Sequence, residues 1–199
     1  MWNGVRLVLG VLTLAAIGVQ LSIHARAGFN LVNFFSYFTN LSNLIAAVIL
    51  ILGARRLFAK GDGWEPGDQV RAVSVVNMTI VGIVFSILLR DVDLGTLLPW
   101  VNVLLHYVMP CAVVLDWLVS PPATTLRVRH LVRCLIFPAL YLLYILIRGA
   151  GTGWYPYPFL NPANVGGYGG VALYSVGIAA IFLIASAALL AIGNRLPRR

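Results

Sequence analysis

The chain has 199 residues, of which 60% are hydrophobic and only 10% are charged, and its mean hydropathy is +0.92. Soluble domains are about a quarter charged, so this composition excludes a soluble globular protein and predicts an integral membrane protein. The formal net charge of +8 is explained by membrane topology and contact with anionic lipid, and no nucleic-acid binding is expected.

Long uncharged tracts predict the membrane-spanning helices, because one crossing needs about 20 apolar residues. Taken in chain order, the tracts predict an all-α, polytopic six-helix bundle that forms a single transmembrane domain over 1–199. The expected helices cover approximately 5–24, 34–57, 70–89, 97–119, 131–148 and 168–193. The fifth apolar tract is short, and Arg133 and Arg148 at its ends are expected to extend it to the two interfaces.

The positions of lysine and arginine predict which end of the bundle faces the cytoplasm, because cytoplasmic loops retain cations. The cytoplasmic side would hold Arg6, Arg55, Arg56, Lys60, Arg71, Arg127, Arg129, Arg133, Arg195, Arg198 and Arg199. The outer side would hold only Arg26, Arg90 and Arg148. We therefore expect a multi-pass protein of the cell membrane with both termini in the cytoplasm.

The second predicted helix carries a stripe of small polar residues. Four of them stand at i, i+3, i+4 and i+7 of one helical face and a fifth flanks that face: Ser36, Thr39, Asn40, Asn43 and Ser42. Such residues often only join transmembrane helices, through hydrogen bonds of well under ~1 kcal/mol each. The competing interpretation is a polar cavity, because five polar residues within eight positions exceed the needs of one helix contact.

The fourth predicted helix contains His106 near the middle of an apolar tract, with Asn102 one turn before it. An ionisable side chain at that depth is costly to bury and usually marks a functional site. At a rise of ~1.5 Å per residue, Thr39 and His106 would both lie in the outer half of the membrane. Because a neutral imidazole accepts a proton from a hydroxyl, they form a candidate nucleophile and base. A purely structural histidine is the alternative.

The other histidines, cysteines and acidic residues suggest no cofactor and no metal. Haem would require two axial histidines, but His24 sits at a helix end and His130 in a basic loop. Cys111 and Cys134 are interpreted as small packing residues rather than a disulfide or zinc site. Asp116 is the one carboxylate within a predicted span. Its expected partners are cations of the following loop, namely Arg127, Arg129 or Arg133.

The connection between the fifth and sixth helices, from Gly149 to Gly170, is rich in glycine, proline and aromatic residues. Its prolines prevent a regular helix, and aromatics such as Trp154 and Tyr157 suit the membrane interface. The connection is interpreted either as an aromatic belt with a turn or as an ordered lid over a cavity. On the same side, two cations are candidate contacts for an anionic lipid head group: Arg90 and Arg148.

Three segments together resemble the androgen-induced-gene family of membrane proteins. They are the polar segment around Thr39, the NVLLH run that ends at His106 with an acidic residue ten positions later, and the WYPYPFL segment at 154–160. The resemblance implies a six-helix membrane protein of which small bacterial proteins are distant members. It also implies hydrolysis, within the membrane, of fatty acid esters of hydroxy fatty acids by a threonine nucleophile and a histidine, here Thr39 and His106.

We therefore predict an intramembrane lipid ester hydrolase, a threonine-dependent enzyme in which Thr39 attacks the ester and His106 transfers the proton. Membrane lipids or lipid esters are the expected partners, and water would arrive from the outer face along the polar stripe. The candidate donors to the oxyanion are Ser36, Asn40, Asn43 and Asn102. A non-enzymatic lipid-binding or regulatory protein is the alternative. A small transporter or pore comes third, because the chain shows no internal repeat.

Overall fold

The computed structural model describes residues 1–55, 66–93 and 95–197, and within these ranges the chain is helical without strands. Four of the cations used to predict orientation lie outside the described residues: Arg56, Lys60, Arg198 and Arg199. The helices are α1 (Trp2–Arg26), α2 (Leu31–Phe35), α3 (Phe38–Gly53), α4 (Asp68–Leu89), α5 (Pro99–Val119), α6 (Val128–Thr152) and α7 (Tyr168–Arg195).

Five of these helices, α1, α4, α5, α6 and α7, are long and apolar enough to cross a bilayer. The apolar helix α3 has only 16 residues. Helices satisfy their own backbone hydrogen bonds, which the hydrocarbon interior demands of a spanning segment. The prediction of an all-α, multi-pass membrane protein is therefore confirmed.

The second predicted helix is divided into α2 and α3, which differs from the single helix expected there. Ser36 ends α2, and Tyr37 has extended backbone (φ −81°, ψ 127°) before α3 begins. The Ser36 Oγ–H donates to the Val32 carbonyl at 2.7 Å, and the Tyr141 O–H donates to the Ser36 carbonyl at 2.8 Å. These bonds satisfy carbonyl groups at the end of α2. Ser36 consequently does not share one continuous helical face with Thr39.

Helices α4 and α5 form the centre of the bundle, because their most apolar stretches are 56% buried, against 17% for α6. Helix α1 packs closely on α3 at Gly10, where a Cβ atom would lie 2.8 Å from the Ala47 carbonyl oxygen. Cys134 is buried, as expected of a packing residue, whereas Cys111 is exposed. The interpretation of Cys111 as a packing residue is therefore wrong, because α5 turns that position outward.

The bundle has two ends, each named here for one residue. At the Tyr157 end, the connection between α6 and α7 contacts the first turn of α3. At the Asp116 end, the last turns of α5 contact the first turns of α1. The polar groups of the bundle therefore lie in two regions, one at each end.

Asp116 is held by α1 and α4 and not by the loop after α5. Its Oδ1 accepts from Arg6 Nε at 2.5 Å and from Trp2 Nε1 at 2.8 Å, and its Oδ2 accepts from Arg71 Nη2 at 3.4 Å. The expected pairing with the loop cations is wrong, and those cations are all exposed: Arg127, Arg129 and Arg133. Helices α1 and α4 flank the end of α5, which brings their guanidinium groups to the buried carboxylate.

Gly170 lies in the first turn of α7, where a Cβ atom would collide with the Val165 backbone carbonyl oxygen. We expect Gly170→Ala to lower the free energy of unfolding by about 1–3 kcal/mol, because a backbone oxygen must shift to admit the methyl group. The neighbouring Gly169 has nothing within 4 Å of its Cβ position. The matched variant Gly169→Ala should leave the melting temperature in detergent unchanged or raise it. Equal melting temperatures for the two variants would contradict the close approach.

Candidate functional site

Thr39 lies in the first turn of α3, whose amide groups are bonded by tyrosines from elsewhere in the chain. Tyr37 at the N-cap makes no side-chain cap bond. Instead, the Phe38 N–H donates to the Tyr141 hydroxyl at 3.2 Å and the Thr39 N–H donates to the Tyr157 hydroxyl at 3.4 Å. The first amides of a helix have no partner within it, so these bonds fix the position of Thr39.

Thr39 lines an apolar cavity of about 340 Å³, a volume within the range of small-ligand sites. Helices α3, α4, α6 and α7 and the connection after α6 form its wall, which is mostly aliphatic and aromatic. Ala139 on α6 and Ala179 and Leu183 on α7 line the cavity and are also exposed at the protein surface. The cavity therefore opens between α6 and α7 on the lipid-facing side of the bundle.

The connection between α6 and α7 covers the Tyr157 end of this cavity. Tyr157, Phe159 and Leu160 are buried and line it, and the Tyr157 and Phe159 rings stack at 5.3 Å. Burial raises the pKa of the Tyr157 phenol, which therefore keeps its proton at neutral pH. The segment 157–160 therefore packs over the cavity and is called the lid.

His106 lies in a π-helical segment of α5, Leu104–Val108, and is 6% exposed. Pro110 has no N–H to donate to the His106 carbonyl four residues earlier, which accounts for the widened turn. The His106 Nδ1 atom is 3.1 Å from the Asn102 carbonyl oxygen. Because a carbonyl only accepts, Nδ1 carries the proton, and the neutral ring has its lone pair on Nε2. The ring also stacks on Phe85 with centroids 3.8 Å apart.

Asn43 connects the segments that carry Thr39 and His106. Its Nδ2 donates to the Thr39 carbonyl at 2.9 Å and to the Leu105 carbonyl at 3.1 Å, and its side chain is fully buried. Within the described part of the chain, no hydrogen bond joins the Thr39 and His106 side chains. His106 does not line the cavity, but Phe85 both lines the cavity and covers the imidazole.

Two of the other polar residues of the predicted stripe have side-chain hydrogen bonds. The Ser36 hydroxyl bonds with the Tyr144 hydroxyl at 2.9 Å, and the Asn40 Nδ2 donates to the Phe34 carbonyl at 2.7 Å. Ser42 Oγ and Asn102 Oδ1 are buried without a partner among the described residues. None of these four side chains lines the cavity.

Two of the predicted outer cations, Arg90 and Arg148, lie apart from each other in the structure. Arg90 is exposed, and its Nε donates to Asp91 Oδ2 at 3.2 Å. Arg148 donates from Nη2 to Asn33 Oδ1 at 2.6 Å, and its guanidinium lies 4.9 Å from the Trp154 ring centroid. The structure therefore places Arg148 and Trp154 together beside the lid and leaves Arg90 in a separate connection.

The sequence patterns did not predict two residues of the site. Tyr141 on α6 binds the start of α3, and the spacing of Tyr141, Tyr144 and Arg148 at i, i+3 and i+7 was an available signal for a polar helix face. Phe85 gave no signal, because one aromatic residue in an apolar helix is ordinary.

The comparisons with known proteins give one positive result. The sequence pattern of one family, described as FAR-17a/AIG1-like protein, matches residues 72–191, which is more than half of the chain. The matched region contains His106, Tyr141 and Tyr157 and begins after Thr39. No curated protein and no solved structure matches the chain.

Proposed function

The chain belongs to the FAR-17a/AIG1-like family, which confirms the resemblance read from its motifs, and on that premise we propose that it is an intramembrane lipid ester hydrolase. One observation carries the proposal: Thr39 lines an apolar cavity that opens toward lipid, and Asn43 holds the Thr39 backbone against the residue preceding His106. The hydrolytic roles of Thr39 and His106 come from the family resemblance, and fatty acid esters of hydroxy fatty acids are the proposed substrates.

The proposed orientation places the Asp116 end in the cytoplasm. Arg6 and Arg71 lie at that end, and further cations stand at Arg127 and in the first turns of α6, as in cytoplasmic segments. In this arrangement α2 and α3 together form the second of six crossings, and both termini are cytoplasmic. The lid and Thr39 then lie near the outer leaflet of the cell membrane.

Substrate would enter laterally from the bilayer through the opening between α6 and α7. An acyl chain that comes from lipid is already out of water, so its transfer into the apolar cavity changes the free energy little. Selectivity would then depend on the few polar groups of the wall. Thr39, Tyr141, Tyr157 and Ser175 supply these groups.

In the proposed reaction the Thr39 Oγ1 atom attacks the ester carbonyl carbon, and its proton passes to Nε2 of His106. The tetrahedral intermediate collapses, the bond to the alcohol breaks, and His106 returns the proton to the leaving oxygen. Water then attacks the acyl-threonine with the same base, which releases the fatty acid and restores Thr39. Because the two side chains share no hydrogen bond in this structure, the proton would pass between them once the site closes on substrate.

Tyr157 is the proposed donor to the oxyanion. Its phenol lies against Thr39, lines the cavity and stays protonated because burial raises its pKa. The donors predicted from the sequence are less suitable, since the Asn43 Nδ2 already donates to two carbonyls and that of Asn40 to a third. Removal of one good oxyanion donor typically costs ~3 kcal/mol of transition-state stabilisation.

Labelling with a long-chain alkyl fluorophosphonate tests the proposal. We expect purified protein in detergent to form a covalent adduct that mass spectrometry places on residue 39, because an activated hydroxyl attacks the phosphorus. The adduct should disappear in Thr39→Val. The matched control is Ser86→Ala, which removes an exposed hydroxyl of α4 that does not line the cavity and should label like the wild type. An adduct that persists in Thr39→Val would contradict the assignment.

A non-enzymatic lipid-binding protein is the second candidate, and one observation favours it: His106 does not line the cavity that Thr39 lines. Such a protein would retain a fatty acid in the cavity and would not react with the fluorophosphonate. The same labelling experiment separates the two functions.

A further inference from the structure

The polar side chains of residues 36–43 and of α4 fall into two sets. Near the Tyr157 end, Ser36 and Asn40 have partners on α2 and α6. Those nearer the Asp116 end are buried and, within the described ranges, lack partners: Ser42 Oγ, Asn43 Oδ1, Ser74 Oγ, and both Asn77 Oδ1 and Nδ2. Buried polar atoms in native proteins are almost always bonded to protein or to ordered water.

The packing register places Asn43 level with Asn77. Thr39 and Val81 line the same cavity, and seven residues further along each antiparallel helix, Ala46 and Ser74 line another. Asn43 follows Thr39 by four residues and Asn77 precedes Val81 by four. The two amides therefore lie at a similar level of the bundle, that of the Leu105 carbonyl that Asn43 binds next to His106, and no hydrogen bond joins them among the described residues.

The unpaired atoms of Asn77 identify the missing partner by its chemistry. Its Oδ1 needs a hydrogen-bond donor, and its Nδ2 needs an acceptor. A metal cation would satisfy the oxygen and repel the NH₂ group. Water both donates and accepts, so water fits the pair.

Space for water lies one turn from Asn77 toward the Asp116 end. A cavity of about 10 Å³ is lined by Ser74, Arg71, Asp116 and Trp117. A volume of roughly 10–15 Å³ is enough for one water. Arg71 and Asp116 also line a polar cavity of about 540 Å³ at the end of the bundle.

We propose that internal water occupies a buried polar row, defined as Asn43, Asn77, Ser74, Arg71 and Asp116, and that this row supplies the hydrolytic water from the Asp116 end. The inference rests on the proposed hydrolase activity. It replaces the expected route along the outer stripe, where Ser36 bonds with the Tyr144 hydroxyl, Asn40 bonds with the Phe34 carbonyl and the lid covers the cavity. Lipid and water then reach the acyl-threonine from different directions.

Hydroxyl-radical footprinting tests for the water itself, independently of any hydrolysis. Radiolysis of bound water oxidises the side chains beside it. Trp117 and Met109 are both buried, at 1% and 0% exposure, but only Trp117 lines the small cavity. We expect Trp117 to be oxidised in the wild type and Met109 to remain unmodified, although methionine is intrinsically more reactive. Protection of Trp117 equal to that of Met109 would overturn the proposal.

Burst kinetics with a p-nitrophenyl fatty acid ester test the supply of water to the site. Acylation of Thr39 releases nitrophenol without water, whereas each later turnover consumes one. Asn77→Leu, which keeps the size of the side chain, should preserve the burst and lower steady-state turnover by about tenfold or more. The matched control Thr13→Val removes another buried, unpaired hydroxyl, on α1 outside the row, and should turn over like the wild type.

The outcomes are distinguishable. If Asn77→Leu turns over like the wild type, the row does not supply the hydrolytic water, even when Trp117 is oxidised. A wild type that releases no nitrophenol at all contradicts the hydrolase and the supply role with it, whereas the oxidation of Trp117 still decides whether water occupies the row. Loss of the burst in Asn77→Leu also overturns the proposal, because acylation needs no water from the row.

Discussion

Replacing His106 with glutamine is expected to lower the turnover of a fatty acid ester by about 10²–10⁴-fold, the usual contribution of a general base. Glutamine can still donate to the Asn102 carbonyl that Nδ1 now binds, but it has no nitrogen lone pair in place of Nε2. The loss should therefore fall on the chemical step rather than on folding. Steady-state hydrolysis in detergent or nanodiscs, with the melting temperature measured in parallel, checks this expectation.

His24→Gln is the matched control, because His24 bonds with the Asn30 carbonyl and its ring lies beside Phe29 and Phe34. It should retain wild-type turnover. Thr39→Ser, which keeps the hydroxyl, should also remain active. A melting temperature that falls in His106→Gln while turnover per folded molecule stays unchanged would show that the imidazole is structural.

Replacing Asp116 with asparagine is expected to lower the free energy of unfolding by about 3 kcal/mol or more. The carboxylate binds Arg6 at 2.5 Å with only 10% and 9% of the two side chains exposed, so its loss leaves a poorly solvated guanidinium without a counter-charge. Arg71 loses the same partner. Thermal unfolding in detergent measures the effect.

The control for Asp116→Asn is Asp91→Asn, whose ion pair with Arg90 is exposed, with 87% of the Asp91 side chain accessible. Exposed pairs contribute little, so the control should melt with the wild type. Adding Arg6→Met to Asp116→Asn should restore part of the stability, because it removes one unpaired charge. Equal melting temperatures for Asp116→Asn and Asp91→Asn would show that the buried network does not stabilise the bundle.

The candidate site shows which buried residues sequence patterns can predict and which contacts they cannot. Helical spacing singled out Thr39 and Asn43, and both are buried in the first turns of α3. The same spacing failed for Ser36, because a continuous helix was assumed across Tyr37, where the backbone is extended. No local pattern shows that tyrosine hydroxyls from α6 and from the lid would bond the amides at that break.

The partners of Asp116 show a similar limit. A basic loop near in sequence predicted Arg127, Arg129 or Arg133, whereas the actual partners come from α1 and α4, 110 and 45 residues away along the chain. Distance along the chain is a poor guide to contact between helices, because side-chain packing determines which helices are neighbours.

The sequence by itself determined that this protein is helical, multi-pass and embedded in lipid. These properties follow from local hydrophobicity and from the need of every backbone amide for a partner within its own segment. Only the tertiary structure decided that Thr39 lines an apolar cavity, that Asn43 joins it to the segment of His106, and that unpaired amides continue toward Asp116. The physical reason is that a cavity or an unpaired atom is defined by all the helices around it, and their arrangement depends on side-chain packing across the whole bundle.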